Sequence, residues 1–269
     1  MERYEKIMEG VHDHFEEAVE LYSEDQVCIV ALQGSQNYQL DIPGSDIDTK
    51  CLIVPSFKDI ALNRKPTSTT HIRFNNEHID AKDIRLYMET FRKQNLNFLE
   101  ILFTKYYILN KDYALEWIRL IQEREAIARM NPHRAVKSMM GIAREKFHAM
   151  EHPYPSKVEV LEKYGYDPKQ VHHLIRVRDY LDRYISGESY EKCLIPSDKY
   201  HSLIMDMKLG KYSLEDTRLL AKEHMCHVDK IAHDYCEKVP AEENSYCREL
   251  LEDVSYNMLK IAVKKELEV

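Results

Sequence analysis

A chain of 269 residues, 44% hydrophobic and 31% charged, can close the core of one large or two modest domains, and its formal net charge of -8 argues against non-specific coating of nucleic acid or acidic membrane, since the overall field repels polyanions. The six cysteines, at 28, 51, 193, 226, 236 and 247, form no CxxC pair and are too sparse for a disulfide scaffold, so they read as reduced thiols. The opening MERYEKIMEGVHDHF lacks the apolar stretch of a secretory signal and no run approaches the roughly 18 apolar residues of a membrane span, which sets the expectation of a cytoplasmic protein with no membrane partner.

Residues 2 to 22 place Ile7, Val11, Phe15, Val19 and Leu21 at roughly helical intervals with charged residues between them, which predicts an amphipathic helix. The period then changes. Gln26 to Leu32 is short, apolar and rich in β-branched residues, as a buried strand should be, and it stops at Gly34-Ser35. After a loop containing Pro43-Gly44, the segment from Asp46 to Pro55 alternates before turning apolar. Thr69 to Phe74 and His78 to Ala81 read as two more strands across the turn signal Asn75-Asn76, giving a small sheet of about four strands. From Asp83 the pattern is helical, with Ile84, Tyr87, Met88 and Phe91 on one face, and Asn97 with Glu100 suggests a capping box for the next helix. Beyond residue 111 the chain reads as helices broken at Asn131-Pro132, Pro153 to Pro155, Asp167-Pro168, Ser186-Gly187, Pro196 and Pro240. The expected class is α+β: a small mixed-sheet domain with its N-terminal helix over residues 1–110, then a mainly α-helical domain over 111–269.

The chemistry concentrates between Gly34 and Asp80. A glycine at a strand end lets the backbone approach a triphosphate, whose oxygens can take hydrogen bonds from free N–H groups and from the Ser35 hydroxyl. Asp46 and Asp48, two apart, would share one face of a strand and could hold hard divalent cations, Mg2+ or Mn2+, with triphosphate oxygens completing the shell. Asp80, on a neighbouring strand, would complete a two-metal site and could accept the proton of an attacking hydroxyl, with Glu77 as its rival on the opposite side of the strand. Separately, Gly-Ser and Asp-x-Asp are common in solvated turns; together in a strand–turn–strand context they point to a metal-bound nucleoside triphosphate.

At these residues the chain resembles the DNA polymerase β-like nucleotidyltransferase superfamily, whose hallmark is Gly-Ser, a spacer, Asp-x-Asp and a later strand carboxylate. More narrowly it is similar to the RNA-repair-pathway, RNA-ligase-associated nucleotidyltransferases of bacteria and phages. That similarity runs through Gly34-Ser35-x-Asn37-Tyr38-x-Leu40, Ser45-Asp46-x-Asp48, Phe98 to Phe103 and Tyr166-Asp167-x-Lys169-x-x-x-His173-x-x-Arg176, about residues 23 to 235. One departure is Leu96, where that group is expected to carry proline. The resemblance implies transfer of a nucleoside monophosphate to an acceptor hydroxyl, with an RNA 3′ end preferred. It implies that Asp46, Asp48 and Asp80 are catalytic and hold Mg2+ or Mn2+, and that Gly34 and Ser35 fix the triphosphate. A protein acceptor (AMPylation-type nucleotidylylation) and a non-catalytic nucleotide-binding partner are the alternatives.

Lys169, His173 and Arg176 fall at i, i+4 and i+7 and share a helical face, which either meets phosphates or forms a solvated basic stripe; the resemblance favours nucleotide binding. Between Arg124 and Phe147 a local excess of basic residues, with Arg134, Lys137 and Arg144 on one face, could guide RNA but reads more simply as a solvated helix. His224, Cys226, His227, His233 and Cys236 tempt a zinc assignment, yet helical geometry disperses them.

Overall fold

In the computed structural model, which describes residues 2–268, the amphipathic opening segment forms helix α1 (Glu2–Tyr22), and the first apolar run forms β1 (Val27–Gln33). There follow β2 (Asp48–Ile53), α2 (Phe57–Ala61), β3 (Ser68–Ile72), β4 (His78–Asp83), α3 (Ile84–Arg92), α4 (Leu96–Leu99), β5 (Tyr107–Leu109), α5 (Ala114–Gln122) and α6 (Arg124–Ala128). The helical stretch comprises α7 (Pro132–Ala149), α8 (Val158–Tyr164), α9 (Pro168–Ile185), α10 (Tyr190–Leu194), α11 (Asp198–Lys208) and α12 (Leu214–Lys238), and α13 (Ser245–Leu267) follows it. The class is α+β, as expected. No helix among the described residues is long and apolar enough to cross a membrane.

The sheet is five-stranded and mixed, in the order β3-β4-β2-β1-β5. Only β2 and β4 run parallel; their connection needs a crossover, which α2 and β3 supply before β4 returns beside β2. The fifth strand, β5, escaped the sequence reading because three partly exposed residues at a sheet edge leave no usable alternation. A register shift between Val27 and Ile29 puts Val27, Val30 and Leu32 on one face of β1. These residues pack with Cys51, Ile53, Ile79 and Ala81 against Ile7, Val11 and Ala18 of α1.

The expected capping box at Asn97 is corrected by two residues: Asn95 is the N-cap, its side chain accepting from the Asn97 N–H at 3.0 Å. Leu96 therefore occupies the first helical position, the place where proline is tolerated, and it is buried there.

The expected boundary between 110 and 111 also moves. One compact unit consists of residues up to Asn37, Asp41–Met130 and Glu243 onward; the other consists of Tyr38–Leu40 and Asn131–Glu242. The reason is packing. Trp117 and Leu120 of α5 and Ile127 of α6 are fully buried in the sheet unit, and α13 closes over α5, with Arg119 reaching Asp253 at 2.6 Å and the Asn244 N–H donating to the Met130 carbonyl at 2.7 Å. In the helical unit α9 packs against α7, α11 and α12. Asn131 and Asp167 cap α7 and α9 with proline at the first helical positions, as the sequence breaks anticipate.

Candidate functional site

The site begins where β1 ends. Gly34 adopts φ of +95°, a conformation that L side chains rarely take, and a Cβ built on it would meet open space, so the backbone and not crowding calls for glycine. The turn is pinned from inside: Asn37 Nδ2 donates to the Leu32 carbonyl at 2.9 Å, and Thr104 Oγ1 donates to Asn37 Oδ1 at 2.7 Å. Gln36 Nε2 reaches across the loop to the Asp46 carbonyl at 3.1 Å. That bond brings the half-buried Ser35 turn and the Asp46 segment together. Gln36 and Asn37 thus position the turn. Asn37 lay within the quoted motif, but nothing local in the sequence indicated what either side chain bonds.

The sheet register completes the arrangement. Gln33 faces Asp48 across β1 and β2, Lys50 faces Asp80 across β2 and β4, and Asp80 faces Thr70 across β4 and β3. Alternation therefore gathers Gln33, Asp48, Lys50, His78, Asp80 and Lys82 on the face turned away from α1. Asp46 is exposed and precedes β2, so its expected same-face relation to Asp48 within one strand does not arise; its placement comes from the loop.

Each carboxylate has its own surroundings. Asp48 Oδ1 accepts from the His78 backbone N–H at 2.9 Å and from His78 Nδ1 at 3.1 Å. Asp80 Oδ2 accepts from Lys50 Nζ at 3.0 Å. Lys50 is only 3% exposed; burial pushes its ammonium below the ordinary lysine value, and the Asp80 charge opposes that shift. The Phe98 ring lies 4.1 Å from Lys50 Nζ and 4.0 Å from Lys82 Nζ, so two ammonium groups share one aromatic surface.

The donor chemistry suits a hard divalent cation, because Asp46, Asp48 and Asp80 offer oxygen ligands. The set is not closed, however. Among the described residues, the groups of three candidate ligands within 4.8 Å of one another are the exposed sets His12, Asp13, Glu16 and His233, Asp234, Glu237, and neither includes the three site aspartates.

Glu77, the rival carboxylate, has a different job. It accepts from His14 Nε2 and from the Ile47 N–H, both at 3.1 Å, from Asn75 at 2.7 Å and from Arg73 at 3.2 Å, on the α1 side. A carboxylate acceptor at Nε2 places the His14 proton there, so Nδ1 accepts from the Thr49 hydroxyl at 2.8 Å. Burial lowers the His14 pKa and keeps the ring neutral.

In the helical unit Lys169 is exposed, His173 half-buried and Arg176 buried, so the three do not form a uniformly solvated stripe. The Arg176 guanidinium lies 4.0 Å from the centroid of the Tyr38 ring, in the segment Tyr38–Leu40 that belongs to this unit. His201 bonds the Gln39 carbonyl at 3.0 Å and Lys208 donates to the Leu40 carbonyl at 2.5 Å. His172 stacks on His173 with centroids 4.4 Å apart, and its buried Nδ1 finds no hydrogen-bond partner among the described residues. Burial first, then the charges of Lys208, Arg176 and Lys169, push the His172 imidazole down to about 3. His172 thus sits amid this concentration of cations.

The zinc candidates are dispersed, as the helical geometry suggests: His224 bonds Arg178, His227 bonds Asp182, and Cys236 donates to the His133 carbonyl. Of the basic segment, Arg144 pairs with Asp229 and Lys146 with Glu145, both as surface ion pairs.

No protein-family model matches the chain. No curated protein matches it either. Function is therefore argued from the site itself.

Proposed function

We propose that this chain is a metal-dependent nucleotidyltransferase of the polymerase β-like kind, moving a nucleoside monophosphate from a nucleoside triphosphate to an acceptor hydroxyl and releasing pyrophosphate. The observation that carries the reading is the convergence of the positive-φ Gly34 turn, tied by Gln36 to the Asp46 carbonyl, with Asp48 and Asp80 on one polar sheet face. Mg2+ or Mn2+, when bound, would neutralise triphosphate charge and polarise the reacting phosphoryl group. Asp46 and Asp48 would hold the metal, and Asp80 would join them and take the proton of the acceptor hydroxyl. The Gly34 backbone and the Ser35 hydroxyl would bind the triphosphate oxygens. Lys169, His173 and Arg176, on one face of α9, are proposed to bind phosphate, the two cations offsetting its charge.

An RNA 3′ end is the preferred acceptor. The net charge of -8 favours a protein hydroxyl as the second reading, since an acidic chain has little field with which to gather long RNA. The test is incubation with each α-phosphate-labelled nucleoside triphosphate, Mg2+ or Mn2+, and either total RNA or cell extract. Label in RNA supports the preferred acceptor and label in protein supports the second. Label in neither, with no pyrophosphate released, overturns the enzyme reading.

A further inference from the structure

We infer that Lys50 is an exchangeable counter-ion of Asp80, holding the carboxylate that a divalent cation must take, so that cation binding and the Lys50–Asp80 ion pair compete. This inference rests on the proposed function, in which Asp80 is a metal ligand.

Lys50 lies in the middle strands of the sheet, opposite Ala31 on one side and Asp80 on the other, and it is almost wholly buried on the face turned away from α1. A buried ammonium is tolerated only when paired. Its carboxylate partner is Asp80, 3.0 Å away and 22% exposed in its side chain, and its other wall is the Phe98 ring, which also carries Lys82. Asp80 takes a second, longer contact from the Thr70 hydroxyl at 3.5 Å. Asp80 thus pairs with one ammonium group, Lys50, while Lys82 shares the Phe98 ring, and the more exposed partner of the pair is the carboxylate. A divalent cation drawing Asp80 towards Asp48 would strip Lys50 of its partner.

The charge balance then has a consequence for order. A divalent cation alone would leave Lys50 and Lys82 on the Phe98 ring with the Asp80 charge withdrawn from Lys50. A cation arriving with a triphosphate would bring anionic oxygens to replace it. Lys50 therefore makes the metal bind weakly alone and well in company with nucleotide, which protects the site from loading with metal only.

The test measures Mn2+ affinity of the full chain by water-proton relaxation, alone and with a non-hydrolysable nucleoside triphosphate analogue. Lys50→Met should bind Mn2+ alone about tenfold more tightly than the wild-type chain, because the competitor is gone, and should lose most of the nucleotide's enhancement. Unchanged or weaker Mn2+ binding by folded Lys50→Met overturns the inference. Asp48→Asn separates the two layers: if it leaves Mn2+ binding unaltered the metal-site reading itself fails, whereas if it abolishes binding while Lys50→Met changes nothing only the counter-ion role fails. The wild-type chain supplies a check independent of any variant's folding. Reductive methylation of Lys50, followed by mass spectrometry, should accelerate when Mg2+ is added, relative to exposed Lys58. An unchanged Lys50 rate overturns the exchange.

Discussion

Both faces of the β2–β4 pair carry buried charged or polar groups, and the two clusters are built differently. On the α1 side, His14, Thr49, Glu77 and Arg73 form a network in which both His14 nitrogens are bonded and Glu77 accepts from four donors. On the other side, Lys50 pairs with Asp80 and Asp48 accepts from His78, while Asp46 stands exposed in the segment before β2. A network whose members satisfy one another fixes structure. A charged set with one exposed and two partly exposed carboxylates retains capacity for a ligand. The contrast teaches why Glu77 and Asp80, three residues apart, take opposite roles.

The sharpest way to break this contrast is at the open cluster. On the proposed function, Asp46→Asn and Asp48→Asn should each reduce transfer by about a thousandfold while the melting temperature stays level or rises, since each would remove a proposed metal ligand and the amide oxygen can still accept a hydrogen bond. Pyrophosphate release against thermal melts reads both quantities; near-normal turnover in both variants would remove the metal role from this face.

The closed cluster should respond in the opposite sense. His14→Ala leaves the Thr49 hydroxyl and part of Glu77 without a partner and opens space under α1, so urea denaturation should show a loss of about 2–4 kcal/mol. A loss below about half a kcal/mol would mean that this network is dispensable. Returning to the open side, Ser35→Ala should weaken triphosphate binding by about 1–3 kcal/mol, the worth of one charged hydrogen bond, with little change in stability. Calorimetry with a triphosphate analogue decides it, and equal affinities would leave Ser35 an ordinary turn residue.

The smallest expected effect is a pH dependence. The folded pKa of His14 lies below the unfolded value near 6.5, so its neutral form is favoured by folding, and its contribution is present above that pH and declines as pH falls through the interval beneath it. Stability should therefore drop between pH 6.5 and 5 more steeply in the wild-type chain than in His14→Phe. His172 and His224 are lowered too, and they contribute equally to both proteins, so the difference in slope isolates His14. Parallel slopes would show that His14 does not titrate in this way.

Much of this was legible because it is local. The helical spacing of Ile7, Val11, Phe15 and Val19 marks α1, although Leu21, read with them, is exposed; the apolar run marks β1, and Asn131-Pro132 and Asp167-Pro168 mark helix starts, all from side chains within a turn or two of each other. Gly34, Ser35, Asp46, Asp48 and Asp80 could be singled out for the same reason. The Lys50–Asp80 pair could not, because it depends on the parallel register of strands whose paired residues are thirty apart. Nor could the Asp46 placement, which depends on Gln36 bonding a backbone carbonyl ten residues on. The return of α13 to the sheet unit was hidden as well: periodicity reveals that a helix has an apolar face but not which surface receives it.

That return sets a timetable for the growing chain. Leu251, Val254 and Met258 of α13 are fully or almost fully buried, Met258 lies 4.0 Å from the Cys28 sulfur of β1, and Lys265 pairs with both Asp25 and Asp112. Strands made early on the ribosome must therefore wait through the synthesis of the whole helical unit before α13 can cover them. A nascent chain halted at Met130 would expose the Cys28 side of β1 and the buried face of α5, an invitation to chaperones or to aggregation. The sheet unit would thus reach its fully packed form only once the segment carrying α13 had emerged.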